Sequence, residues 1–268
     1  MTTGLSYDGT VSGTTSYKTQ ISTMAVVEET DPAFLVILPQ MITYAENRIY
    51  RDLDFLFTSV SNSNYSVAVN TRSITVPPGT DFAAGSAYGG GVLVVAEQIN
   101  LITPSGQTNP DQGIRVPLLP TTKEFLDAVY GSSSSTGQPK YFCPFDDYTF
   151  LVGPFANATY QVEIVGTYRP ISMSATNLTS FISLYLPDLF IMASMVYIAA
   201  YQRNFSSAMG NDPQMPVTYE TQYQTLLKSA MSEENRKKFE GAAWSSQSVS
   251  TTATTSPPTP GCPCLSTT

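Results

Sequence analysis

Adjacent carboxylates are the first residues in this chain that could do chemistry: Glu28-Glu29, Asp146-Asp147 and Glu233-Glu234. Two carboxyls can act as general acid and general base, as in glycoside hydrolysis, if both face one substrate. Neighbouring residues on a strand or helix point in different directions, so these pairs make poor dyads. Asp146-Asp147 also suits a hairpin turn. Histidine is absent from all 268 residues. That removes Ser-His-Asp and Cys-His triads, His-ligated zinc and imidazole proton shuttles. Cys143 and the pair Cys262-Pro-Cys264 give neither a complete disulfide framework nor four zinc ligands. Gly89-Gly90-Gly91 lacks the Lys-Ser/Thr that completes a phosphate loop. The sequence therefore predicts no catalytic residue, no cofactor and no metal site.

Binding groups are better represented. Arg236, Lys237 and Lys238 form a basic run near the end of an amphipathic segment, and Trp244 follows just beyond. Three cations at a helix C-terminus complement its dipole and usually form a solvated face. No aromatic cluster accompanies them, as stacking on nucleic acid would require. Trp244 either packs back on its helix or anchors in a groove of another subunit, where tryptophan is favoured. These four residues are the candidate docking groups.

The elements that must position them follow from periodicity. Residues 1–30 are polar, without a strong period, and read as an extended arm; Met1 to Tyr17 lacks the apolar core of a secretory leader. Asp31-Pro32 supplies a capping side chain and a proline for the first helical position. Leu35, Leu38, Ile42, Ala45, Ile49, Leu53 and Leu56 then share one helical face. This predicts a helix over about 32–57, bent or restarted at Pro39, with Arg48 and Asp52 paired at i, i+4. Tyr65 to Val76, Val92 to Ile102 and Ile114 to Leu118 read as strands, Thr121 to Tyr130 as a short helix. Lys140 to Phe145 and Tyr148 to Val152 flank the Asp146-Asp147 turn, and Tyr160 to Arg169 alternates as a half-buried strand.

Helix returns after Asn177. Phe181 to Tyr201 is apolar nearly all round, but Pro187-Asp188 interrupts it, and the remainder is too short for a bilayer. It reads as a helix buried by its own chain and by neighbours, with Phe190, Met192, Met195 and Tyr197 as candidate packing residues between copies. Tyr219, Tyr223, Leu226 and Ala230 mark an amphipathic helix over about 218–240. Beyond Trp244 an uncharged Ser/Thr/Pro-rich tail cannot form its own core. The predicted fold class is α+β: a helical bundle with an inserted, mainly antiparallel β domain and extended N- and C-terminal arms. Its boundaries are 1–30 (arm), 31–64 (first helix), 65–172 (β domain), 173–244 (C-terminal helices) and 245–268 (flexible tail).

Composition bears on partners. Only 13% of residues are charged, against about 25% in ordinary domains, while 42% are hydrophobic, and the net charge is −8. An acidic chain with 13 Lys+Arg does not suit tight nucleic-acid binding. So few charges suggest surface buried against other chains.

Several phrases carry a resemblance. Ala45-Glu46-Asn47-Arg48-Ile49-Tyr50-Arg51-Asp52-Leu53 looks like the first helix of the head-to-tail adaptor (connector, or head-completion) proteins of tailed, short-tailed especially, double-stranded DNA phages. Gly137-Gln138-Pro139-Lys140-Tyr141-Phe142, Asp146-Asp147 and Gly153-Pro154-Phe155 with Tyr160 look like its central β hairpin. Asn177-Leu178-Thr179, Leu186-Pro187-Asp188-Leu189 and Tyr219-Glu220 with Tyr223 look like its C-terminal helical pair. The resemblance spans about residues 32–240. It implies a non-enzymatic virion protein at the head–tail junction, a ring of twelve copies that joins portal to tail or nozzle proteins. DNA would pass through its channel without specific binding, and no membrane is involved. The alternative is a virion-associated, carboxylate-dependent glycan hydrolase or another β-rich tail component.

Overall fold

The computed structural model describes residues 4–84, 88, 90–205 and 215–245. In chain order its elements are β1 (Gly4–Ser6), β2 (Thr14–Ser16), α1 (Tyr17–Ala25), α2 (Pro32–Asp52), a 3-10 turn (Leu56–Thr58), β3 (Ser59–Val67) and β4 (Ser73–Thr75). There follow β5 (Gly91–Thr103), β6 (Ile114–Pro117), β7 (Leu119–Pro120), α3 (Lys123–Tyr130), β8 (Thr136–Gly137), β9 (Tyr141–Pro144), β10 (Thr149–Gly153), β11 (Phe155–Ala156) and β12 (Tyr160–Pro170). The last are α4 (Phe181–Tyr185), α5 (Pro187–Phe205) and α6 (Met215–Ser245). The protein is thus mixed α and β, with two four-stranded sheets that are largely antiparallel.

Two large hydrophobic cores, and a small third cluster of Leu126, Cys143 and Leu151 under α3, divide these elements. One is built by helices from both ends of the chain and includes Tyr17, Ile21, Leu38, Ile42, Ile49, Phe55, Phe190, Ile198 and Tyr223. The other lies between the sheets ordered β3-β12-β5-β6 and β4-β10-β9-β7, filled by Val67, Ile74, Ile99, Leu101, Phe142, Val152, Val162 and Ile164. Strand alternation explains the second: Tyr160, Val162, Ile164 and Tyr168 of β12 are buried, while Gln161, Val165, Thr167 and Arg169 lie on the other face. Glu163 is the exception. It faces outward yet is covered, accepting from Ser61 of β3, Asn100 of β5 and Arg115 of β6, so one carboxylate ties all four strands.

The segment expected as an extended N-terminal arm is folded from Gly4 onward. β1 and β2 pair in parallel, and Ser16 caps α1 through the amide of Thr19. Tyr17, Ile21 and Ala25, four residues apart, are buried against the helical core. The Tyr17 hydroxyl donates to Ser194 at 2.7 Å, and its ring stacks on Phe190 at 4.8 Å. Three apolar residues in a polar stretch suffice because the packing is tertiary.

α2 is shorter than its apolar period. Leu38, Ile42, Ala45 and Ile49 are buried as expected, but the helix stops at Asp52, and Leu53 is extended. The turn that follows buries Leu53 and Phe55 and leaves Leu56 exposed, as Leu35 is at the other end. Pro39 sits on the exposed side, where its missing amide is easily tolerated. Tyr65 to Val76 is broken into β3 and β4 by a turn at Asn70, in the left-handed region. The Asp146 side chain accepts the Tyr148 amide and closes the β9–β10 hairpin. Phe181 to Tyr201 resolves into α4, capped by Ser180 with Ser183, and α5, begun by Pro187. Among the described residues no helix is long and apolar enough to cross a membrane. The flexible tail expected for 245–268 lies outside the described residues except for Ser245.

Candidate functional site

α2 sets the geometry of the surfaces, because its two faces and two ends do different things. Its inward face holds two polar groups. Glu46 is 1% exposed; it accepts from the Ser180 hydroxyl at 2.8 Å and the Met173 amide at 3.1 Å. Burial pushes its carboxyl up to about 7, against hydrogen bonds from Ser180, Met173 and Ser172. The carboxylate fastens α2 to the connector between β12 and α4. One step along, Arg48 grips Glu220 of α6 through two hydrogen bonds of 2.8 and 2.6 Å. Its guanidinium lies 4.2 Å from the Tyr223 ring centroid, and Asp52 lies 3.7 Å away, the expected i, i+4 pair. The Tyr223 hydroxyl donates to Asp52 at 2.7 Å. Hydrogen bonding to Arg48 holds the Glu220 carboxyl below its usual range. Residues far apart in sequence, Arg48 and Asp52 with Glu220 and Tyr223, thus form one clamp.

The C-terminal end of α2 opens into a notch against the sheet. A cavity of about 140 Å³ lies there, bounded by Tyr50, Arg51, Asp54, Val94, Thr167 and Arg169 among others. The Tyr50 hydroxyl is buried without a hydrogen-bond partner among the described residues. Arg51 donates only to the Asn47 carbonyl, and neither Arg51 nor Arg169 forms an ion pair among the described residues. Beside the notch, Val92, Val94 and Val95 of β5 are 46, 50 and 54% exposed. β6 pairs with β5 only at Asn100–Thr103, so the outer edge of Val92–Gln98 has no partner strand among the described residues.

The basic run expected to dock is partly engaged within the subunit. Lys237 binds Glu233 at 3.1 Å and Glu234 at 2.6 Å, and Lys238 pairs with Asp54. Arg236 remains exposed and makes no ion pair among the described residues. Trp244 lies in the last turn of α6, with its side chain outside the described residues. Of the residues expected to pack between copies, Phe190 and Met195 are instead buried in the subunit's own core, because α1 and α2 fold over α5. Met192 and Tyr197 are half-buried at its edge; Met192 lines a shallow groove of about 330 Å³ with Thr221, Gln222, Thr225 and Leu226 of α6.

The carboxylate pairs do not converge. Asp146 and Asp147 are exposed in their turn; Glu234 is buried on the Leu56 amide while Glu233 is exposed. No group of three or more His, Cys, Asp or Glu residues that could hold a metal ion occurs among the described residues. Cys143 is buried.

Sequence reasoning missed the notch, since Arg51 and Arg169 come from separate elements, α2 and β12. The one available signal was the run Val92-Leu93-Val94-Val95, apolar on both faces of a strand that should alternate. Comparison with known proteins adds two findings. A family model described as SU10 adaptor protein matches residues 17–250. Among curated proteins, nothing matches the chain.

Proposed function

The chain belongs to the SU10 adaptor protein family, and from that premise we propose that it forms a ring at the head–tail junction of a short-tailed phage, as a connector that joins portal to tail or nozzle proteins and lengthens the DNA channel. Membership makes it a phage structural adaptor and a virion component. The ring, its twelve copies and its position are the further reading.

The observation that carries this reading is the outer face of α6. Between Val217 and Ser232 the exposed side chains include Thr218, Thr221, Gln222, Thr225 and Met231, and Lys228 is the only exposed charge. A helix face meant for water normally carries many charges. A face with a single charge over four turns supports burial against a neighbour through a head-to-tail contact, the kind that closes rings. Met192 borders it. The net charge of −8 supports a conduit that DNA passes without tight binding. Arg236 and Trp244 remain the groups proposed for docking to portal or neighbour, with a helical domain of residues 31–64 and 173–244 carrying the ring and a β domain of 65–172 facing outward or tailward.

Electron microscopy of purified particles tests this. The expected result is a ring of copies around the axial channel, between portal and tail. A monomer absent from particles would overturn it.

A further inference from the structure

The two ends of α2 carry surfaces that match each other but cannot meet within one chain. At the N-terminal end the α1–α2 corner projects a knob. Val26 caps α1 with φ of 53°, a left-handed conformation that strains a β-branched residue, and its side chain is 91% exposed. The turn closes α1, with the Val26 and Val27 amides on the Thr23 and Ser22 carbonyls and Val27 packed on the helical core, and it leaves the Val26 side chain itself in solvent. Val36, one turn into α2, is 80% exposed. Around these apolar side chains stand Glu28 and Asp31, neither with a cation partner among the described residues; Glu28 accepts the Thr30 hydroxyl and Asp31 the Ala33 amide.

The notch at the other end is the complement. It offers Val94, with the exposed Val92 and Val95 on the same strand beside it, where the knob has Val26 and Val36, and Arg51 and Arg169 where the knob has Glu28 and Asp31. Of the other charges nearby, Asp54 is paired with Lys238, while Glu97 accepts the Thr167 hydroxyl and has no cation partner among the described residues. A helix of 21 residues is about 30 Å long, so knob and notch of one copy stay apart. We propose that the α1–α2 knob of one copy docks in the α2–β5 notch of the next, with Glu28 and Asp31 facing Arg51 and Arg169. The contact rests on the ring reading above and gives it a specific interface. It is heterologous by construction: every copy uses one knob and one notch, so it propagates until it closes. Two cations flanked by valines do not suit a nucleic-acid backbone, which takes a broad basic surface.

Cross-linking tests the contact. The full chain carrying Cys262→Ser and Cys264→Ser, with Val26→Cys and Val94→Cys, is isolated in its assembled form and oxidised. The expected product is a ladder of disulfide-linked species beyond two copies, absent when either new cysteine is omitted. In parallel, Arg51→Glu with Arg169→Glu should raise the concentration needed for assembly by about tenfold or more, and Glu28→Arg with Asp31→Arg on the same chain should restore it. Assembly of normal mass that neither cross-links nor responds to charge reversal overturns the knob-and-notch contact and leaves the ring standing. Cross-linking that stops at two copies overturns its head-to-tail sense. A wild-type chain that stays monomeric, alone and with portal protein, overturns the ring itself.

Discussion

Arg48 and Arg51 stand one turn apart on the same helix and do opposite work. Arg48 is enclosed by the Glu220 carboxylate, the Tyr223 ring and Asp52. Among the described residues Arg51 donates only to the carbonyl of Asn47, and it faces the notch beside Arg169. The charge satisfied inside the subunit fixes how α2 and α6 sit together. The charge without a counterion among the described residues helps only the end of its own helix, through the dipole and the Asn47 carbonyl, and is the one proposed to meet another chain. The same contrast runs through α5, where Phe190 is committed inward and Met192 sits at the rim. In a protein with so few charges, where each is spent separates structural residues from assembly residues.

The largest effect that can break this division is on α5. Phe190→Ala removes a ring stacked on Tyr17 and should lower unfolding free energy by about 3–5 kcal/mol. Met192→Ala should change it by less than about 1 kcal/mol. Urea denaturation of both reads the difference, and equal losses would erase the distinction.

Glu46 gives the next test, because its charge is also inward. Its folded carboxyl sits at about 7 against an ordinary value of 4.5. A raised acid contributes stability that is complete below the unfolded value and lost as pH rises through the folded one. At about 1.4 kcal/mol per unit, wild type should lose up to about 3 kcal/mol relative to Glu46→Gln between pH 4 and 8. Denaturation series on both proteins across that range measure it. A gap that does not change with pH would show that Glu46 does not titrate in the fold.

Much of this architecture is legible in the sequence wherever a periodic face is long. α2, β12 and the β9–β10 hairpin follow from alternation and turn chemistry because many residues vote together. α1 was not legible: Tyr17, Ile21 and Ala25 are three residues among Lys18, Thr19, Gln20, Ser22 and Thr23, and what holds them is Phe190 and Ser194, far along the chain. The apolar character of α5 announced burial but not by what, since its own α1 and α2 cover Phe190 and Met195. The notch is less legible still, because periodicity within one segment cannot register Arg51 against Arg169. Tertiary placement alone makes them a pair.

The smallest effect on the fold is the sharpest test of the opening contrast. Arg48→Met breaks two charge-assisted hydrogen bonds in a partly exposed clamp and should cost about 1–3 kcal/mol, less at high salt. Arg51→Met removes no carboxylate contact and should leave unfolding free energy within about 0.5 kcal/mol of wild type. Assembly should reverse the order. Arg51→Met loses an attraction for the knob of the next copy and should weaken oligomers, while Arg48→Met should spare them under conditions where the subunit remains folded. Parallel denaturation and sedimentation measurements supply both readings. If Arg51→Met destabilises the subunit as much as Arg48→Met does, its guanidinium serves the fold and not a neighbour.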